Sequence, residues 1–164
     1  MMAYTDRFND VDVLISGLNH IVPNLPGNIQ PKIAGFLAVN AVTAYELAIK
    51  EIIADFATAK HSVFGDFIRC YHSRLNGNIK LKSLKEELKK FGGSYKDDFE
   101  ASLCIKEVQI RKTMNQDLRS SYNNLLECRH QFVHTSNITL TIQECINNYN
   151  AGKSVIEALF DAMK

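Results

Sequence analysis

Apolar residues recur at spacings of three and four along most of the chain, which is the period of amphipathic α-helices. Residues 6–21 form the first such segment, and the breakers Pro26 and Gly27 follow it. A longer segment runs from about Lys32 to Lys60, with Pro31 at a position where a helix tolerates proline. Its apolar stripe consists of Leu37, Ala41, Tyr45, Ala48, Ile49, Ile52 and Phe56. A helix of this length, about 40 Å, would be the spine of a small all-α domain.

The middle of the chain is less uniform. Residues 62–75 predict a third helix that ends at the turn signal Asn76-Gly77. Residues 80–91 predict a short amphipathic helix, closed by a pair of glycines. Residues 94–115 are less regular, because charged residues interrupt the apolar ones, and they predict one or two short helices.

The pattern sharpens again at Leu118 and predicts a helix to about His134. A capping box, Thr141 with Glu144, then begins a last amphipathic helix. No segment shows a convincing strand-like alternation. We therefore predict an all-α bundle of four to five main helices plus short helices.

Composition limits the organisation and the partners of the chain. Its 164 residues and 46% hydrophobic content fit one domain, residues 1–164, with little room for a second core. The formal net charge of +1, from 19 basic and 18 acidic residues, does not indicate a strong polyanion binder, so any contact with nucleic acid must be local. Neither an apolar run of about 18 residues nor a signal-peptide pattern is present, so we expect a soluble cytoplasmic protein with no membrane partner.

The four cysteines lie singly in predicted helices, without C-x-x-C spacing. This is not the density of a disulfide-rich secreted scaffold. We expect Cys70, Cys104, Cys128 and Cys145 to be reduced thiols packed in or near the core.

The predicted helix over residues 122–134 carries a charge on its apolar side. With Tyr122 at 0° and about 100° per residue, Arg129 falls at about 340°, inside the arc that apolar residues such as Val133 occupy. An unpaired buried charge costs several kcal/mol, so Arg129 must find a carboxylate or serve a ligand. His130 and His134 share the flank of this face, at about 80° and 120°.

A carboxylate on the long helix is a candidate partner for this arginine. Glu46 lies at the border of the apolar stripe, about 100° from Tyr45, and is predicted to be half-buried. Lys50, four residues further on, could pair with Glu46 instead, as neighbouring opposite charges on a helix commonly do.

The short helix at residues 80–91 carries lysines on its polar faces. They are Lys80, Lys82, Lys85, Lys89 and Lys90. Such a face is usually solvated surface, and the alternative is a patch that binds RNA phosphates.

Several kinds of site are excluded by their motifs. The chain has no Gly-rich phosphate loop, no G-x-S-x-G elbow, no H-E-x-x-H and no cysteine and histidine set with zinc spacing. His130 and His134 could fill two positions around a metal, but further ligands would have to come from elsewhere, so we expect neither a metal nor a cofactor. What remains is an arginine that can neutralise a phosphate and a histidine that can move a proton.

These residues resemble a known motif. Arg129-His130-Gln131-Phe132-Val133-His134 is similar to the R-x(4–6)-H motif of the HEPN superfamily, and it ends a helix that precedes an amphipathic C-terminal helix. Glu46 and Lys50 resemble the E-x-x-x-K segment of many such proteins. The layout most resembles RiboL-PSP-type HEPN domains and HEPN-like nucleases of bacterial defence systems.

The resemblance implies an all-α HEPN bundle that forms a homodimer and cleaves RNA without a metal, by attack of the 2′-hydroxyl on the adjacent phosphorus. Arg129 would bind the scissile phosphate, His134 would be the general acid/base, His130 would assist, and Glu46 would hold Arg129. Three lysines are predicted to bind RNA: Lys50 of the E-x-x-x-K segment, and Lys85 and Lys89 of the lysine-rich helix. The implied role is a toxin or antiviral effector, with an antitoxin or an NTPase as a possible partner protein.

Two other interpretations stay open. The chain could be a non-catalytic HEPN-type dimer that binds a partner protein or a nucleotide. It could also be a structural helical protein in which Arg129 and Glu46 form only a buried pair. One geometric point favours a shared site: Arg129 and His134 project about 140° apart on a straight helix, so one chain presents them poorly to one phosphate unless the last turn unwinds.

Overall fold

The fold is all-α, as the periodicity predicts. The computed structural model describes residues 3–22, 25–73, 78–136 and 138–164, with Ser73 described by its backbone alone. In these ranges a 3₁₀ helix, Tyr4–Phe8, precedes seven α-helices, and there is no strand. The helices are α1 (Asn9–Ile21), α2 (Gln30–Lys60), α3 (Ser62–Ser73), α4 (Leu81–Lys89), α5 (Gly93–Met114), α6 (Leu118–Thr135) and α7 (Ile142–Ala162).

Most boundaries lie within a few residues of the predicted ones. The capping box at the start of α7 is confirmed, because the Thr141 hydroxyl accepts from the Glu144 N–H at 3.2 Å and the Glu144 carboxylate accepts from the Thr141 N–H at 2.7 Å. The predicted turn at Asn76-Gly77 lies outside the described residues.

The prediction for residues 94–115 was wrong, because this segment is one continuous helix, α5. Its buried side chains, Phe99, Leu103 and Ile110, form a narrow stripe, while Ile105 and Val108 are exposed. Apolar residues on both sides of the helix blur the helical period in the sequence. Tertiary contacts support the helix instead, since it packs along α7 and against α4.

The spine of the bundle is α2, which packs against α3, α6, α7 and the N-terminal segment. By length and hydropathy alone, this helix also meets the criteria for a membrane span, with a mean hydropathy of 1.3 over its most apolar 18 residues. Of that window, 56% is buried inside the bundle, which is the pattern of a core helix.

Three buried tyrosines connect the principal helices. The ring of Tyr45 on α2 stacks between Tyr122 on α6, at 5.6 Å, and Tyr149 on α7, at 5.8 Å between centroids. The Tyr45 hydroxyl donates to the Tyr149 carbonyl at 2.5 Å. Burial raises the pKa of Tyr45 well above its ordinary value, so its hydroxyl stays protonated and remains a donor.

Two glycines allow the helices to approach this closely. A Cβ added to Gly152 on α7 would lie 2.4 Å from the Tyr45 hydroxyl oxygen. A Cβ added to Gly35 on α2 would lie 2.2 Å from the ring of Phe132 on α6. Gly152 therefore serves the tyrosine stack, and Gly35 seats the C-terminal half of α6 on α2.

The expectation for the cysteines holds for two of the four. Cys128 and Cys145 are buried, with sulfurs 3.9 Å apart, whereas Cys70 and Cys104 are exposed. The hydrogen bond with Cys128, together with burial, raises the pKa of the Cys145 thiol well above its ordinary value. The prediction was wrong for Cys70 and Cys104, because the faces of α3 and α5 on which they lie are not covered by another helix.

We expect Gly152→Ala to lower the free energy of unfolding by about 1–3 kcal/mol, because the fully buried Tyr45 has no room to move away from the added methyl group. Gly17→Ala is the matched control, since nothing lies within 4 Å of a Cβ at that helical position. The control should be neutral or stabilising by up to about 1 kcal/mol. Equal denaturation midpoints for the two variants would contradict the role given to Gly152.

Candidate functional site

The helix that carries the arginine and histidine motif is regular from end to end. Asp117 caps its N-terminus, with a carboxylate oxygen accepting from the Ser120 N–H at 2.8 Å. The helix continues through Thr135 and ends at Ser136, which adopts a left-handed conformation with φ 55°. The last turn does not unwind, so Arg129 and His134 keep the divergence of about 140° that a straight helix gives them.

A cavity of about 540 Å³ lies beside this helix, in the size range of small-molecule sites. We call it the large cavity. Its walls come from α2, from α6 and from the residue that precedes α4. They consist of Val42, Glu46, Lys80, Asn123, Asn124, Leu126, Glu127, Arg129 and His130.

Three of the predicted site residues therefore meet in one place: Glu46, Arg129 and His130. Glu46 is half-buried, as predicted, and its Oε1 atom is buried with no hydrogen-bond partner in the described part of the chain. The expected pairing is not formed, because no carboxylate lies within 4.0 Å of Arg129 among the described residues. Arg129 and Glu46 share a cavity wall without forming an ion pair.

The helix explains why an unpaired arginine is tolerated here. All the buried side chains of α6 lie at or before Cys128, and beyond it the ring of Phe132 lies against Gly35. Val133, predicted on the apolar side, is 53% exposed. Arg129 is only half-buried and lines the cavity, so it does not bear the full cost expected for a buried charge.

The two histidines occupy one flank of α6, as their spacing predicts. Their ring centroids lie 4.5 Å apart. His130 lines the large cavity, while His134 lies one turn further along the helix, is exposed and is outside the lining. The cavity of one chain therefore contains the arginine but not the histidine of the R-x4-H motif.

The lysines predicted to bind RNA lie outside the large cavity. Lys85 forms an ion pair with Glu100 on α5, and Lys89 pairs with Glu86 at 2.8 Å. Neither of them lines the large cavity, nor does Lys50. The lysine that does is Lys80, which is exposed.

A tertiary hydrogen bond places Lys80 at the cavity. The buried hydroxyl of Tyr122 donates to the carbonyl of Ile79 at 2.7 Å, which fixes the backbone before α4 against α6. Lys80 follows directly and lines the cavity.

Two further polar residues of the lining, Asn123 and Glu127, could have been found from the sequence. Asn123, Glu127, His130 and His134 recur at spacings of four, three and four, so they form one polar flank of a helix. We did not predict Asn123 or Glu127 as site residues, although this spacing gives the signal. Lys80 carries no such signal, because its position depends on the contact between Tyr122 and Ile79.

Exposed apolar side chains border the motif. Phe36 on α2 is 57% exposed and meets Phe132 edge to face, with centroids 5.2 Å apart. Val133 is exposed on the neighbouring helix. Among the described residues, no group of three or more histidine, cysteine, aspartate or glutamate side chains could hold a metal ion.

Comparison with known proteins gives one result. The family model described as RiboL-PSP-HEPN matches residues 3–164. No curated protein and no solved structure gives a significant match.

Proposed function

Because the chain belongs to the RiboL-PSP-HEPN family, we propose that it is a metal-independent endoribonuclease whose active site is built around the large cavity. The observation that carries this proposal is that Arg129, His130 and Glu46 line one cavity of a size suitable for a nucleotide. Arg129 has no ion-pair partner among the described residues and is therefore available to bind a phosphate, and its planar fork suits two phosphate oxygens.

The reaction needs a phosphate-binding cation and a group that transfers protons. The 2′-hydroxyl oxygen attacks the adjacent phosphorus while a base takes its proton, and the bond from phosphorus to the 5′-oxygen breaks as that oxygen receives a proton. The products are a 2′,3′-cyclic phosphate and a free 5′-hydroxyl. In our proposal Arg129 stabilises the charge on the phosphorane, His134 transfers the proton, and His130 donates a hydrogen bond.

A second copy of the chain would complete the site. Arg129 lines the cavity whereas His134 lies outside it on an intact helical turn, so the two side chains of one chain face different directions. The exposed Phe36 and Val133 beside the motif offer an apolar surface for dimerisation. We therefore propose a homodimer in which Arg129 of one chain and His134 of the other act on the same phosphate.

The proposed biological role is that of a cytoplasmic toxin or antiviral effector that cleaves RNA. The activity of such a nuclease must be inhibited until it is needed. The proposed partner protein is an antitoxin or an NTPase. The family membership supports an RNA-related activity, and the finer role is our proposal.

Arg129→Ala and His134→Ala should each reduce cleavage of single-stranded RNA by at least about a hundredfold, because each removes a group that acts in the transition state. Cleavage by the unaltered protein should persist in EDTA. His20→Ala is the control, since His20 is an exposed histidine on α1, outside the cavity lining. Undiminished cleavage by both purified variants would refute the assignment, and the absence of any cleavage would favour a non-catalytic dimer that binds a partner protein or a nucleotide.

Mixing the two inactive variants tests the composite site. If Arg129 and His134 act across the interface, a heterodimer of Arg129→Ala with His134→Ala contains one intact site, and an equal mixture should regain about a quarter of the unaltered activity. A site formed within one chain would regain none. The measurement is RNA cleavage after the variants have been co-refolded or allowed to exchange subunits, with each variant alone as the control.

Lys80→Ala should weaken the binding of an RNA whose 2′-hydroxyls are blocked, and should reduce the slope of log K against log salt by about 0.7, the value of one lost phosphate contact to a single strand. Lys82→Ala is the matched control, because Lys82 is an exposed lysine two residues further on, in the first turn of α4, and lies outside the cavity lining. Equal affinities and slopes for the two variants would remove Lys80 from the binding site. Fluorescence anisotropy over a range of salt concentrations measures both quantities.

A further inference from the structure

A second cavity shares Glu46 with the large one. It has a volume of about 60 Å³, and we call it the small cavity. Glu46 thus lines both cavities. The other polar residues of the small cavity are Lys50, His72, Asn78, Ser83 and Glu87.

Two residues that line the small cavity, Glu46 and His72, each have a buried polar atom with no hydrogen-bond partner among the described residues: Glu46 Oε1 and His72 Nε2. His72 is only 6% exposed. The nearest carboxylate oxygen, Glu87 Oε1, is 3.8 Å from His72 Nε2, which is too long for a hydrogen bond. Buried polar atoms are nearly always satisfied in folded proteins, so two of them at one cavity require an explanation.

The volume and the lining of the small cavity suit water. A buried water needs roughly 10–15 Å³ of such space and two to four polar partners, and the small cavity offers about 60 Å³ with several polar side chains. We propose that ordered water in the small cavity joins His72 Nε2 to Glu46 Oε1, and that His72 is thereby a positioning residue for Glu46. The water link stands on the geometry alone, and its consequence for catalysis rests on the proposed function.

The charge state of His72 fits this arrangement. Burial lowers the pKa of His72 below its ordinary value of 6.5, and Lys50 and Lys90 lower it further, while Glu87 opposes them. At neutral pH the imidazole is therefore uncharged, and its Nε2 atom can form one hydrogen bond with water, as donor or as acceptor. The other titratable groups around the ring are Glu46 of α2, Tyr71 of α3, and Arg7, Glu51, Asp55 and Arg69 at the neighbouring surface.

The sign of the stability effect follows from this shift. Because the pKa of His72 is lower in the folded protein than in the unfolded chain, acid favours the unfolded chain. The stability that the neutral ring contributes is complete well above pH 6.5 and is lost as the pH falls from there through the folded pKa.

The link predicts that a change at Glu46 alters the proton affinity of His72. Glu46→Gln should lower the proton affinity of His72 by about threefold or more, because the carboxylate that stabilises the imidazolium through water is lost. Glu127→Gln is the matched control, because Glu127 lines the large cavity but not the small one. NMR titration of the His72 ring measures the affinity, and water cross-relaxation to the ring protons of the unaltered protein reports the water itself. Absence of the water signal, or equal effects of the two variants, would overturn the link.

Cleavage assays test the positioning role. His72→Gln keeps a side-chain amide that can bond to water, so it should retain most of kcat, whereas His72→Leu should lower kcat, leave KM nearly unchanged and alter the acid limb of the pH profile. Equal losses of kcat in the two variants would show that His72 has only a structural role. The NMR measurement needs no cleavage, so an unaltered protein that does not cut RNA would refute the proposed function while leaving the water link to be decided by NMR.

Discussion

The stack of Tyr122, Tyr45 and Tyr149 is the interaction on which the rest of this structure depends. It fixes α6, α2 and α7 to one another through ring contacts of 5.6 and 5.8 Å and through hydroxyl bonds that reach backbone carbonyls. The same residues position the candidate site. Glu46 follows Tyr45 along α2, and the bond from Tyr122 to Ile79 brings Lys80 to the cavity. The same tyrosines therefore hold the core together and position the cavity wall. A change that displaces the stack would also displace Glu46 and Lys80.

The packing of α6 determines where a charge can be placed. Its apolar side is covered as far as Cys128, and beyond that point the helix is held by Phe132 against Gly35. Arg129 lies where this cover ends, and it is half-buried at the cavity wall. An arginine one or two turns earlier would need a buried carboxylate, whereas here it remains half-exposed and available to a ligand. At this position a rigid helical backbone holds a cation that forms no ion pair with any described residue.

The intact last turn of α6 has a further consequence. It directs Arg129 and His134 to different sides of the helix, so one chain supplies the cavity with the proposed phosphate-binding group but without the proposed proton-transfer group. Phe36, which meets Phe132 of the motif, and Val133 are exposed. A rigid helix that separates the two groups, beside an apolar surface, favours an arrangement in which activity depends on the pairing of two chains. In our proposal, assembly would then be a condition for cleavage.

The sequence by itself determined the all-α fold, nearly all of the helices, the capping box at Thr141 and the grouping of Glu46, Arg129 and His130 as candidates, because helical period and capping are local properties of the chain. It did not determine the continuity of α5, the exposure of Cys70, Cys104 and Val133, or the separation of Arg129 from Glu46. Each of these depends on which face another helix covers and where that cover ends. Lys80 lies at the cavity because Tyr122 forms a hydrogen bond with Ile79, a residue 43 positions away in the chain. The small cavity forms where α2, α3 and α4 meet. A local pattern specifies what each helix can bury, and the tertiary structure decides what is buried and which groups meet.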